Sequence, residues 1–188
     1  MARWQPNARE RLSRAALDLF AERGYENTTV IDIAQRAGLT KSTFFRHFQD
    51  KREVLFGGGT MAELLAKAIA DAQGAANPLE AVGHAIAAAG REIFTPEHRE
   101  FSALRRSVIT ANPELREREA LKGLALTAAM TDALKARGFA ELTACVAAEL
   151  GALAMKIALE RWLDTAGADF GETARQALAE VRTAARYS

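Results

Sequence analysis

The sequence predicts an all-α protein of about nine helices, in which an N-terminal three-helix head precedes a longer helical bundle. Hydrophobic residues make up 49% of the 188 residues and charged residues 26%, which is typical of a globular chain that can bury a core. Alanine and leucine are abundant, and only four prolines interrupt the chain. Apolar residues recur at helical spacing between glycine, asparagine and proline breakers. We place the boundary between the two parts at residue 50, so that they span 1–50 and 51–188.

The head is predicted to consist of three helices with clear beginnings and ends. The first spans residues 7–23, with an asparagine as its N-cap and Gly24 directly after its end. Residues 27–29 offer capping oxygens for a second, short helix, which Gly38 ends. Thr40 caps the third helix. Two close helices joined by a glycine turn are therefore expected after the first one.

The bundle is predicted to contain six further helices. The fourth helix of the chain should begin at Asp50 and run to about Gln73. The remaining five are predicted over 79–94, 97–110, 114–137, 140–166 and 169–186, with glycine or proline between them. Gly57, Gly58 and Gly59 interrupt the fourth helix, and each glycine costs about 1 kcal/mol in a helix interior. This triplet is either a hinge that transmits a signal or a plain break with no such role.

Several classes of protein are excluded by what the sequence lacks. The longest stretch without a charged residue is 81–90, about half of what a membrane span requires. No positive-then-apolar leader opens the sequence, and the single Cys145 cannot form an internal disulfide, so we expect a soluble cytoplasmic protein. The three histidines, His47, His84 and His98, have no metal-ligand spacing, and no common catalytic motif occurs. We therefore predict no metal site, no cofactor and no enzymatic activity.

Positive charge is concentrated mildly at the N-terminus. Residues 1–55 hold ten Lys or Arg against seven Asp or Glu, a net charge of +3. Residues 56–188 hold fifteen against seventeen, a net charge of −2. A nucleic-acid partner would be expected at the N-terminal part for this reason.

Residues 29–51 have the pattern of a helix-turn-helix, in which the second helix enters the major groove of DNA. Ala34 is small enough for two helices to cross steeply, and Gly38 can take the positive φ of the turn. Apolar residues spaced to hold the two helices together are Ile33, Ala37, Leu39, Phe44 and Phe48. The residues left facing outward, which can bond phosphates or base edges, are Thr40, Lys41, Ser42, Thr43, Phe45, Arg46 and His47. The alternative is a helical hairpin whose polar face is merely solvated.

The run TTVIDIAQRAGLTKSTFFRHFQDKREVLF resembles the signature of TetR-type repressors. The preceding segment AALDLFAERGYENTTV is similar to the first helix of that family and to its Gly-Tyr-then-Thr link. The resemblance covers residues 7–56 and implies a ligand-responsive regulator of transcription. In its simplest form this would be a repressor that a small lipophilic effector releases from a near-palindromic operator. A helical sensor or scaffold without DNA binding is the alternative.

The resemblance also implies a set of DNA-binding residues: Thr29, Lys41, Ser42, Thr43, Phe45, His47 and Lys51. Lys51 is expected to contact a phosphate with help from the dipole of the fourth helix. Arg3 and Arg9 would reach the backbone of the DNA from an N-terminal arm. Two positions depart from the family: Ser42 replaces a glycine, and Phe45 replaces a tyrosine whose hydroxyl could bond a phosphate.

For the bundle, the resemblance implies a homodimer and an effector pocket. Small and apolar residues that would form the dimer surface are Ala144, Ala147, Ala148, Gly151, Ala154, Met155 and Ala158, with Ala174, Ala177, Leu178 and Val181. The alternative is that these faces form an intramolecular core. The residues expected to line the pocket are His84, Arg105, Met130, Met155 and Trp162.

Overall fold

The computed structural model describes residues 8–56, 60–72, 74 and 77–187, and this part of the chain is all-helical, as predicted. It contains nine α-helices: α1 (Ala8–Arg23), α2 (Val30–Arg36), α3 (Lys41–His47), α4 (Thr60–Asp71), α5 (Pro78–Ile93), α6 (Arg99–Ala111), α7 (Pro113–Ala136), α8 (Glu141–Asp164) and α9 (Phe170–Ala184). Arg3, the Asn7 N-cap and the proposed hinge Gly57–Gly59 lie outside the described residues.

The chain divides into two compact units. The first unit comprises Met1–Gly58 and Glu100–Ala120, and the second comprises Gly59–Arg99 and Leu121–Ser188. Residues 100–120 therefore pack with the N-terminal helices, which a boundary at residue 50 did not anticipate. The assignment of DNA binding to 1–50, and of effector binding and dimerisation to 51–188, remains a prediction.

The predicted beginning of the fourth helix is wrong. The Asp50 carboxylate accepts hydrogen bonds from the backbone N–H groups of Arg52 (2.8 Å) and Glu53 (3.0 Å) and caps a short turn. That turn is a 3₁₀ helix over Arg52–Leu55, and α4 begins only at Thr60. The sequence itself gives the physical reason, since three consecutive glycines at 57–59 disfavour a continuous helix.

The core of the first unit joins the N-terminal helices to α6 and the beginning of α7. Buried side chains from α1 to α3 include Leu12, Leu17, Ile33, Phe44 and Phe48. The later segment contributes Val108, Ile109 and Leu115, each at most 6% exposed, to the same cluster. Burial of these apolar surfaces stabilises the first unit as one body although its two segments are distant in sequence.

Polar contacts reinforce this core. The Tyr25 hydroxyl donates to Glu114 at 3.3 Å, and Arg118 is paired with Glu53. Arg105 donates to the carbonyl of Leu55 at 2.7 Å. Burial, with the negative charge of Glu114, raises the pKa of Tyr25, and burial lowers the pKa of the Arg105 guanidinium.

The core of the second unit lies among α5, α8 and α9, and it explains why the predicted dimer surface is wrong. The small-residue face of α8 is buried against α5 and α9, and Ala174, Ala177 and Val181 of α9 are at most 7% exposed. Met155 and Leu178 pack against the same cluster. A side chain on Gly151 would place its Cβ 2.2 Å from Val82 Cγ1, so α5 approaches α8 more closely than any larger residue permits. The alternative interpretation, an intramolecular core, is confirmed.

An aromatic cluster and one arginine organise the end of α8. Phe94 and Phe170 stack at a centroid distance of 4.1 Å, and Trp162 meets Phe94 edge-on at 5.7 Å. The Arg99 guanidinium lies 4.5 Å from the centre of the Trp162 ring. It also donates to the carbonyls of Trp162, Thr165 (2.8 Å) and Ala168 (2.6 Å). Arg99 thus ties the end of α8 to the loop that leads into α9.

Helix α8 is long and apolar enough to cross a membrane by length and composition alone, with a mean hydropathy of 1.7 in its most apolar window. One third of that window (33%) is buried within the second unit. A core helix of a water-soluble protein passes the same test, so this property carries little weight.

Candidate nucleic-acid interface

The N-terminus of α2 is closed by a reciprocal cap. The Thr29 hydroxyl oxygen accepts from the backbone N–H of Asp32 at 3.2 Å. The Asp32 carboxylate in turn accepts from the backbone N–H (2.9 Å) and the hydroxyl (2.6 Å) of Thr29, and these bonds lower its pKa. The capping role predicted for Thr29 is confirmed. Because both donors of Thr29 are committed to Asp32, a phosphate at this position would have to displace a carboxylate.

The turn between α2 and α3 has the predicted geometry. Gly38 adopts a φ of 65°, and the backbone N–H of Leu39 donates to Ala34 O at 2.8 Å. Arg11 of α1 donates to the carbonyl of Ala37, which fixes the turn to the first helix. A Cβ on Gly38 would lie 3.0 Å from the tip of the flexible Arg11 side chain, which can move aside, so it is the positive φ that requires glycine here.

Helix α3 has one buried face and one exposed face. Thr40 caps it by accepting from the backbone N–H of Thr43 at 3.1 Å. Phe44 (0% exposed) and Phe48 (3% exposed) anchor the inner face, with their ring centroids 5.5 Å apart. The side chains of Lys41, Ser42, Phe45 and Arg46 are exposed, whereas Thr43 and His47 are half-buried. The predicted residues of this helix are therefore brought together, with Lys41, Ser42 and Phe45 fully on the outer face.

Phe45 is the large apolar side chain on that outer face. Half of it (50%) is exposed, although its edge rests against the buried ring of Phe44 at a centroid distance of 5.5 Å. The ammonium of Lys41, one helical turn earlier, lies 5.9 Å from the centre of the Phe45 ring. The ring is held by these neighbours and still presents an open face.

Lys51 has partners within the chain. Its ammonium donates to the carbonyl of Tyr25 at 2.7 Å and lies 3.9 Å from the centre of the Tyr25 ring. It precedes only a four-residue 3₁₀ helix, so the long helix whose dipole was expected to assist a phosphate contact does not begin here. Sequence reasoning missed Tyr25 as the residue that positions Lys51, although the Gly24-Tyr25 pair was part of the recognised pattern.

Two more arginines bear on this surface. Arg9, the described member of the predicted arm, lies over the Phe48 ring at 5.0 Å and so packs on the base of α3. Arg46 is exposed on α3 between predicted contact residues, and within the described part of the chain neither it nor Lys41 forms an ion pair. By contrast, Arg36 of α2 is paired with Glu22 at 2.7 Å. Lys41 and Arg46 therefore present positive charge on the outer face of α3.

The residues predicted to bind an effector are divided between the two units. Arg105 lies in the first unit, where it bonds Leu55 O and approaches Glu119 at 3.3 Å. Met130 (0% exposed) and Trp162 (1% exposed) belong to the packed core of the second unit, with Met155 partly buried against it and His84 exposed. Two open grooves, one between α1 and the end of α2 and one between α5 and α8, are lined by none of these five residues.

The fold and the capped, glycine-linked pair α2–α3 define a helix-turn-helix protein with an all-helical body. The sequence pattern of the family described as "Bacterial regulatory proteins, tetR family" matches residues 12–57. The match covers most of α1 and all of α2 and α3, so this N-terminal part of the chain is similar to the transcriptional regulators of that family.

Curated transcriptional regulators are similar to part of the chain. The HTH-type transcriptional regulator TcmR of Streptomyces glaucescens is 41% identical over 81 residues, which are 43% of this chain and 36% of TcmR. HTH-type regulator YerO of Bacillus subtilis is 36% identical over 47 residues, 25% of this chain and 16% of YerO. The chain thus spans about a third or less of the length of these curated relatives.

Solved structures share the fold over nearly the whole chain. The SmeT–triclosan complex superposes with a TM-score of 0.63 at 20% identity, covering 94% of this chain and 90% of that one. A TetR-family regulator from Syntrophomonas wolfei gives a TM-score of 0.56 at 20% identity and covers 95% of each chain. At this identity the likeness concerns the fold alone.

Proposed function

We propose that this chain binds operator DNA as a homodimer and represses transcription in the cytoplasm until a small lipophilic effector releases it. The observation that carries the proposal is the two-faced helix α3. Phe44 and Phe48 anchor it in the core, while Lys41, Ser42 and Arg46 are free to meet DNA. Lysine, arginine and serine side chains bond both phosphates and base edges in the major groove.

Dimerisation follows from the size of the reading surface. A seven-residue helix contacts few base pairs, whereas a two-fold dimer reads two half-sites about 34 Å apart. With its small-residue face buried, α8 offers an apolar stripe of Leu142 (77% exposed), Val146 (49%) and Leu153 (47%) for a second copy. The first two also line a groove of about 330 Å³ that includes Pro78 and Leu79. We assign the dimer surface to this stripe.

The effector part of the proposal rests on composition and on one structural relative. SmeT, which shares the fold, forms a complex with triclosan, a small aromatic compound. The second unit has an apolar interior with methionine and aromatic side chains, among them Met130, Met155 and Trp162. Methionine side chains adapt to irregular ligands, so the effector would enter this interior by repacking them.

The first experiment selects bound sequences from randomised duplex DNA near physiological salt. We expect a near-palindrome, with affinity that falls steeply as salt is added because phosphate contacts release counterions. Arg46→Ala and Lys41→Ala should each weaken binding. Lys67→Ala, which removes the same charge from an exposed position on α4 of the second unit, is the matched control and should bind as the native chain does.

Failure to enrich any sequence at any salt concentration would refute DNA binding and favour the helical sensor or scaffold. The effector is tested separately by displacement of the selected operator, with triclosan as the first compound and a panel of lipophilic small molecules after it. A compound that releases the operator and raises the melting temperature of the protein would support the repressor proposal. Release without thermal stabilisation would indicate an effect on the DNA and would count against it.

A further inference from the structure

We infer that Phe45 reads the C5-methyl group of a thymine in the major groove and so fixes one base of each operator half-site. This inference rests on the proposed DNA binding and names a residue that would determine which operator sequence is recognised. The ring is the only large apolar side chain on the outer face of α3 in the described structure, and it has 50% of its surface exposed.

Neighbouring side chains hold the Phe45 ring in a defined orientation. Its edge packs on Phe44, which is fully buried, with an interplanar angle of 79°. Lys41 lies on the same side, with its ammonium 5.9 Å from the ring centre. Phe44 and Lys41 thus hold the ring in place, and its exposed half is presented outward from the helix expected to enter the groove.

The chemistry of the groove selects the partner. Guanine and adenine present hydrogen-bonding groups along the major groove and cytosine adds a small C5–H, while thymine alone carries a methyl group. A phenyl ring has no polar atom, so placing it against a phosphate or a polar base edge would remove water from those groups without replacing the hydrogen bonds. Contact with a thymine methyl group buries apolar surface on both sides. This is the one favourable partner that the groove floor of unmodified DNA offers to Phe45.

The experiment replaces each thymine of the selected operator in turn by deoxyuridine, symmetrically in both half-sites, which removes only the methyl group. The dissociation constant is measured for the native chain, for Phe45→Ala and for Phe45→Tyr. For the native chain, one position should weaken binding by about fourfold per half-site, the value expected for one buried methyl group. Phe45→Ala should bind the thymine and uracil duplexes equally at that position, and Phe45→Tyr, which keeps the ring, should retain the penalty.

Several results would overturn the inference. An operator that tolerates uracil at every position, or a penalty that persists unchanged in Phe45→Ala, would show that the ring does not read a methyl group. Because Phe45 is half exposed, we expect the alanine variant to fold, and its circular dichroism and melting temperature verify this. If no duplex is selected at all, the proposed DNA binding fails first, and with it the reading of thymine. An intact operator that ignores uracil refutes only the role of Phe45.

Discussion

Gly151 on α8 provides the sharpest test of the packing in the second unit. A Cβ at this position would lie 2.2 Å from Val82 Cγ1 and 3.5 Å from Val82 Cβ. Ordinary contact begins at 3.4 Å, so the first distance is more than 1 Å too short. Val82 is fully buried on α5 and has no solvent to move into. Gly151→Ala must therefore push α5 away from α8 or force Val82 into an unfavourable rotamer.

Two opposing effects determine how much Gly151→Ala changes the free energy of unfolding. Alanine is a better helix former than glycine by about 1 kcal/mol, which favours the variant. Overpacking of a filled core costs about 1–3 kcal/mol, and the short distance and full burial of Val82 favour the upper part of this range. We expect the free energy of unfolding to fall by about 1–2 kcal/mol, with the cost of packing outweighing the gain in helix propensity.

Urea unfolding followed by circular dichroism measures this change. The matched control is Gly123→Ala on α7 in the same unit, where an added Cβ meets nothing within 4 Å. That variant should gain about 0.5–1 kcal/mol from helix propensity alone. Truncation of Val82 in a Val82→Ala/Gly151→Ala double variant should relieve the overlap, so that the two substitutions are less than additive.

A Gly151→Ala protein as stable as the native chain, or stabilised like Gly123→Ala, would refute the close approach of α5 and α8. If the changes in the free energy of unfolding for Val82→Ala and Gly151→Ala simply add in the double variant, Val82 is not the residue that opposes the new methyl group.

Three further predictions concern the head and the exposed stripe. The folded-state pKa of Tyr25 is raised above its ordinary value of 10.0, so its contribution to stability is complete below pH 10 and is lost as the pH rises above it. Urea unfolding between pH 7 and 11 should show that the difference between native chain and Tyr25→Phe shrinks at the alkaline end, and a constant difference would contradict this. Phe45→Tyr adds a hydroxyl at the far end of the ring, where it can bond a phosphate while the ring still contacts the thymine methyl group. It should tighten operator binding about tenfold per half-site, as measured by fluorescence anisotropy; unchanged affinity would argue against a phosphate within reach of the hydroxyl. Leu142→Lys/Val146→Lys should convert the proposed dimer to a monomer in sedimentation experiments. Leu124→Lys, at another exposed position of α7, should not, and a dimer that survives the first pair of substitutions would place the interface elsewhere.

The head could be read from sequence because its signals are local. Gly38 needs a positive φ, and the threonines at 29 and 40 cap the helices that follow them, so each feature depends on residues a few positions away. The spacing of Phe44 and Phe48 likewise fixes the inner face of α3 by helical periodicity alone. What the local pattern could not reveal was the commitment of Lys51 to Tyr25, since that contact joins residues 26 positions apart.

The packing of the second unit was harder to predict from sequence, because composition does not show which helix covers the small-residue face of α8. A run of alanines around Gly151 permits close packing with any helix, whether in the same chain or in another copy. The structure assigns that face to α5 and α9 and leaves Leu142 and Val146 exposed instead. The residues predicted to bind an effector lie in both units, and Met130, Met155 and Trp162 belong to the core cluster of the second unit. Their role in binding an effector remains a prediction.

The discontinuous core of the first unit has a consequence for how such a protein evolves. Val108, Ile109 and Leu115 complete the packing of α1 to α3, so the first unit cannot be exchanged between relatives as one uninterrupted stretch of gene. A chimera joined at residue 58 would inherit a foreign segment in the interior of its head and lose complementarity there. Under the proposed function, changes in operator preference would therefore arise more readily from single substitutions on the outer face of α3 than from recombination of the whole first unit. Ser42 and Phe45 on that face already differ from the pattern of the family that the sequence resembles.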